Sequence, residues 1–90
     1  MLKIGVLGVG HLGKIHLQQL EASDVYELVG FYDPNADTSI QVLKEYNTTA
    51  FANEMELFRN VDVVSIVTPT LSHFESASKA IAQGKHIFIE

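Results

Sequence analysis

Cysteine is absent from the 90 residues. That excludes a disulfide scaffold, a thiolate metal site, an iron–sulfur centre and a thiol nucleophile, and it suits a reducing compartment, the cytoplasm. Positive charge is also scarce, with six Lys and Arg against eleven Asp and Glu, for a net charge of −5. No basic patch follows from that balance, so neither nucleic acid nor an anionic membrane surface is an expected partner. Long apolar runs are missing as well. The first run, residues 2–9, already carries Gly8 and is followed by Gly10 and His11, far short of a bilayer span, and no signal-peptide cleavage site follows it. No repeat of 20–50 residues and no low-complexity linker divides the chain. What remains is 47% apolar and 19% charged residues, a globular composition for one domain with a modest core.

Apolar runs alternate with segments of helical spacing. Residues 3–7 are short, β-branched and bounded by glycine, as in a strand buried on both faces. Helical spacing runs over 11–22, with Gly13, Leu17 and Leu20 on one face. Residues 26–32 predict a second strand, which Asp33 and Pro34 stop. Asn35 is the expected N-cap of a helix to residue 46, with Ala36, Ile40 and Leu43 as its buried stripe. A short third strand is expected over 48–51. Asn53, with Glu56 three residues on, opens a short helix through residue 58. Residues 61–67 form the clearest strand. Ser72 and Glu75 have capping-box spacing for a helix whose stripe is Leu71, Phe74, Ser78 and Ile81. Gly84 stands where a left-handed C-cap belongs, and residues 86–89 begin a last strand. The five phenylalanines, Phe31, Phe51, Phe58, Phe74 and Phe88, read as core. Strands alternating with crossover helices place the chain in the α/β class, a doubly wound parallel sheet of order 3-2-1-4-5 with helices on both faces.

Gly8, Val9, Gly10, His11, Leu12 and Gly13 fit G-x-G-x-x-G. The pattern alone is weak, but here it follows a strand and opens a helix, the Rossmann context it requires. Gly8 then permits a tight turn, Gly10 lets backbone approach a pyrophosphate, and Gly13 lets helix pack on strand. Exposed N–H groups at the positive end of the helix would hold the phosphates, so a chain of net charge −5 can bind an anion by local dipoles. Asp33 lies twenty residues after Gly13, at the end of the second strand, where a carboxylate accepts both ribose hydroxyls and repels a 2′-phosphate. NAD is therefore expected over NADP. A turn-forming aspartate and glycines that only shape a loop are the plain alternatives; strand, glycines, helix, strand and acid in that order favour the nucleotide.

Thr68 and Pro69 follow the fourth strand near the switch point where ligands bind in such sheets. They form either a wall of the nicotinamide pocket or a strand stop with a helix cap. His73 reads as a solvated histidine before it reads as a cleft residue, and His16 as packed between Leu12 and Leu20. No H-E-x-x-H and no G-x-S-x-G occurs, so metalloprotease and nucleophile-elbow chemistry have no support.

Three segments resemble the Gfo/Idh/MocA family (glucose–fructose oxidoreductase and inositol dehydrogenase): GVLGVGHLGKIH over 5–16, DVVSIVTPTLSH over 62–73, and AIAQGKHIFIE over 80–90. The resemblance implies an N-terminal Rossmann domain binding NAD(P), normally followed by a larger α/β domain that shapes a sugar or polyol site. It implies cofactor roles for Gly8, Gly10, Gly13, Asp33, Thr68, Pro69, His73 and Glu90. The family continues past a glutamate equivalent to Glu90 with a lysine and a proline, so catalytic residues are not assigned within these 90. The expectation is the front part of a longer dehydrogenase, inactive as the 90 residues alone, whose self-association is left open. A stand-alone dinucleotide-sensing module is the rival reading, and a non-redox nucleotide binder a weaker third.

Overall fold

A computed structural model describes the backbone of residues 1–67 and 70–89; the side chains of residues 11, 12, 70–74 and 89 lie outside the described set. Eight elements follow one another: β1 (Leu2–Leu7), α1 (His11–Glu21), β2 (Tyr26–Tyr32), α2 (Ala36–Glu45), α3 (Glu54–Arg59), β3 (Val63–Ile66), α4 (Thr70–Ala82) and β4 (His86–Ile89). The four strands are parallel in the order β2-β1-β3-β4. The expected strand over 48–51 survives as one parallel bridge, Phe31 to Ala50, on the outer side of β2. The spatial order 3-2-1-4-5 thus holds, with its outermost member reduced. Phe31 N–H donates to the Thr49 carbonyl at 2.9 Å and Phe51 N–H to the Phe31 carbonyl at 2.8 Å, and pairing stops there.

The chain reverses direction across the sheet at β1, which puts helices on both faces. Leu57 and Phe58 of α3 and Ala77 and Ala80 of α4 pack on Leu7, Val64 and Ile66. Leu17 of α1 and Val42 of α2 pack on Val6, Val9 and Phe31 across the other face. Burying such side chains contributes roughly 1.5–3 kcal/mol each, and these two clusters are what hold the strand ends in place.

Local capping signals place the helix ends. Asn35 Oδ1 accepts from Thr38 N–H at 3.1 Å, and Asn53 Oδ1 from Glu56 N–H at 2.8 Å. Gly84 has φ +75°, and Lys85 N–H reaches back to the Ala80 carbonyl while Gly84 N–H reaches Ile81, the paired bonds of a left-handed helix end.

Three expectations change. In α2 the buried residue is Val42, while Ile40 and Leu43 are exposed and Ala36 faces solvent. The Asn35 cap and the Ser39 hydroxyl, bonded to the Asp33 and Asn35 carbonyls, fix the helix rotation so that Ser39, Val42 and Tyr46 point inward. In α4 the helix starts at Thr70, ahead of Ser72, so the capping-box reading of Ser72 and Glu75 fails. Its sheet side is Ser76, Ala77 and Ala80, with Ser78 and Ile81 exposed, because small residues let the helix lie close on β3. Leu71 and Phe74 lie outside the described side chains. Phe88 is half exposed, since it points to the face opposite α4, where Tyr26 meets it edge-on at 6.4 Å. Phe31 and Phe58 are buried and Phe51 partly so, as a core reading requires.

Candidate functional site

The carboxyl end of β1 runs straight into the glycine loop. Gly8 turns with φ +93°, in the region that a side chain disfavours. Its N–H donates to the Tyr32 carbonyl at 2.9 Å, which ties the loop to the end of β2. One residue on, Val9 N–H donates to Asp33 Oδ2 at 2.9 Å. The Val9 side chain is buried in the core, so this residue meets the site through backbone only. Asp33 Oδ1 accepts from Asn35 N–H at 2.8 Å. The one carboxylate therefore braces both the glycine loop and the turn into α2. Each oxygen keeps a further lone pair for another donor.

Gly13 sits in the first turn of α1 directly over Gly8. A β-carbon there would overlap the Gly8 carbonyl oxygen. Gly10, by contrast, has open space where its β-carbon would stand. It caps α1 without any side-chain hydrogen bond, and the first turn of α1 carries no acidic residue. Helices α2 and α3 have an asparagine cap and acidic first-turn residues. The first-turn N–H groups of α1 have no acceptor within the helix. They are the natural seat for a phosphate.

Beside Asp33, at the carboxyl ends of β1 and β2, opens a cleft of about 420 Å³. Leu7, Tyr32 and Pro34 give it apolar walls; Asn53 and Glu54 come from the start of α3, and Glu75, Ser76 and Lys79 from α4. Lys79 Nζ donates to Glu54 Oε1 at 2.6 Å and stands 3.9 Å from Glu75 Oε1. The Glu54 hydrogen bond, then its charge, hold the Lys79 ammonium above the ordinary lysine pKa. Glu54 and Lys79 are far apart in sequence and on different helices, so no motif announces them. Tyr32 and Pro34 flank Asp33, and Leu7 precedes Gly8, so these three are next to residues the sequence singles out.

The structure thus brings Gly8, Val9, Gly10, Gly13 and Asp33 together. His11 and Leu12 join through the backbone of α1, and His73 is placed on α4. Their side chains, with Thr68, Pro69 and Glu90, lie outside the described residues. His16 is half-buried on α1, as its spacing implies.

Comparison with known proteins decides the family. The model of the Gfo/Idh/MocA oxidoreductases, described as an NAD-binding Rossmann fold, matches residues 2–90. The chain belongs to that family. Several of its relatives are dehydrogenases. UDP-N-acetylglucosamine 3-dehydrogenase of Acidithiobacillus ferrooxidans is 43% identical over 89 residues, which is 99% of this chain and 28% of that protein. The solved structure of that enzyme superposes with a TM-score of 0.90 at 42% identity, covering 98% of this chain and 29% of the other. scyllo-Inositol 2-dehydrogenase (NAD(+)) of Bacillus subtilis is 34% identical over 93 residues, 99% of this chain and 27% of that protein. The Gfo/Idh/MocA chain described here therefore spans under a third of the length of these relatives. No helix among its described residues is long and apolar enough to cross a membrane.

Proposed function

We propose that this chain forms the cofactor half of a dehydrogenase that moves hydride between NAD and a carbinol carbon of a sugar or polyol. The observation that carries the reading is Asp33, whose carboxylate stands between the glycine loop it braces and the cleft beside it. The residues present fit the dinucleotide: an uncapped helix end for the pyrophosphate, a carboxylate for the ribose, and an adjoining cleft for the base. The first-turn backbone of α1, from Gly10 through His11, Leu12 and Gly13, would hold the phosphates. Thr68, Pro69, His73 and Glu90 are assigned to the same cofactor on family resemblance. When bound, the nicotinamide supplies the hydride chemistry; the protein supplies position and charge. The 43% relative makes a nucleotide-linked hexosamine the first substrate to try, ahead of inositols. The absence of cysteine supports a cytoplasmic setting.

A negative group at Asp33, with Pro34 and Asn35 following and no Lys or Arg beside it, favours a free ribose over a 2′-phosphate. We expect NAD to bind at least about tenfold more tightly than NADP, roughly 1.4 kcal/mol. Calorimetric titration of the full-length gene product with both cofactors tests this, and equal affinities would sink the ribose assignment. Residues 1–90 by themselves are expected to bind NAD weakly and to turn over no sugar or polyol, because on the family resemblance the lysine at the nicotinamide and the substrate domain follow the glutamate matched by Glu90. Sustained NADH production by that fragment with a polyol panel would overturn the division of labour.

A further inference from the structure

The cleft that begins at Pro34 adjoins the place where Asp33 would hold a ribose, and a purine on that ribose can enter it. Its volume of about 420 Å³ accommodates a fused heteroaromatic ring between the apolar walls of Leu7, Tyr32 and Pro34. Lys79 gives one of its three N–H donors to Glu54 at 2.6 Å. The Asn53 side-chain oxygen is taken by Glu56 N–H. Glu54 is only 21% exposed, and among the described residues its second oxygen, Oε2, makes no hydrogen bond. Ser76 is 7% exposed and lines the cleft, yet its hydroxyl makes no hydrogen bond among the described residues. At the cleft wall that hydroxyl can donate to or accept from a ligand group.

We infer that Glu54 and Ser76 read the edge of the cofactor's base, with Glu54 accepting from the exocyclic amino group of adenine and Ser76 donating to a ring nitrogen. The inference rests on the NAD reading above and deepens it. Adenine offers a donor in its 6-amino group and acceptors in its ring nitrogens. That pattern matches one fixed acceptor and one rotatable hydroxyl. A 6-oxopurine such as hypoxanthine turns a carbonyl oxygen toward the Glu54 carboxylate and meets repulsion where adenine meets a hydrogen bond. Lys79 keeps the carboxylate in place without cancelling its acceptor character at Oε2. Ser76 is indifferent to the exchange, because a hydroxyl donates to adenine N1 and accepts from the N1–H of hypoxanthine.

The test is calorimetric titration of the full-length gene product with NAD and with nicotinamide hypoxanthine dinucleotide, which differ only in the 6-substituent of the base and the protonation of N1. NAD is expected to bind at least about tenfold more tightly. In Glu54→Gln, whose amide can donate as well as accept, the ratio should shrink to less than about threefold. Ser76→Ala should weaken both dinucleotides by a similar factor and leave the ratio alone. A wild-type ratio near one overturns the inference whatever the variants do, as does an unchanged ratio in Glu54→Gln. Failure of the wild type to bind either dinucleotide would overturn the cofactor reading itself, and this inference with it.

Discussion

Alanine in place of Gly13 raises the Kd for NAD at least about 100-fold, roughly 2.7 kcal/mol. The added methyl group overlaps the Gly8 carbonyl oxygen, which is backbone and cannot rotate away. The loop cannot yield cheaply either, since Gly8 N–H is tied to Tyr32 and Val9 N–H to Asp33. Helix α1 must therefore lift from the end of β1, and its phosphate-facing turn moves with it. Overpacking of this kind also costs about 1–3 kcal/mol of stability. Gly10→Ala separates the two effects. Its methyl enters open space and its φ of −63° suits alanine, so stability should hold. NAD affinity should still fall, because the open space is where a pyrophosphate approaches. Thermal unfolding and titration of both variants check this; full NAD affinity in Gly13→Ala would remove the loop from the binding site.

Serine at position 33 is expected to lower NAD affinity by about 30- to 100-fold and NADP affinity by a smaller factor, so the preference between them narrows. Two losses add. The ribose hydroxyls lose a charged acceptor, and hydrogen bonds to charged groups contribute about 1.5–3 kcal/mol. The glycine loop also loses its brace, because the shorter serine cannot replace both the Oδ2 bond to Val9 and the Oδ1 bond to Asn35. The second loss has its own signature without any cofactor: amide hydrogen exchange at Val9 should accelerate. Protected exchange at Val9 in Asp33→Ser would show that the carboxylate does not organise the loop, and would leave only the ribose contact.

Much of this architecture is legible in local sequence because its determinants act over three or four residues. Asn35 and Asn53 cap helices from positions that any reading of N-caps selects, and Gly84 ends α4 in the left-handed region only because glycine permits it. The glycine loop and Asp33 are legible for the same reason, as a fixed spacing between a strand, a turn and a helix. The order of the sheet follows from alternating elements and the handedness of their crossovers.

What the tertiary structure decided was rotation, extent and company. Periodicity groups Ala36, Ile40 and Leu43 on one face of α2 and leaves Val42 on another. With the Ser39 hydroxyl and the Asn35 cap holding its first turn, the helix buries the face carrying Val42. The strand over 48–51 shrank to one bridge because it has β2 on one side and no further strand among the described residues on the other. Ser76, Ala77 and Ala80 went inward, although Ile81 is more apolar, because closeness of helix to sheet rewarded small side chains. The brace from Asp33 to Val9 spans 24 residues and the pair of Glu54 with Lys79 spans 25. Contacts between residues so far apart leave no periodic trace in the chain; they exist only once the packed sheet has brought its strand ends and helices together.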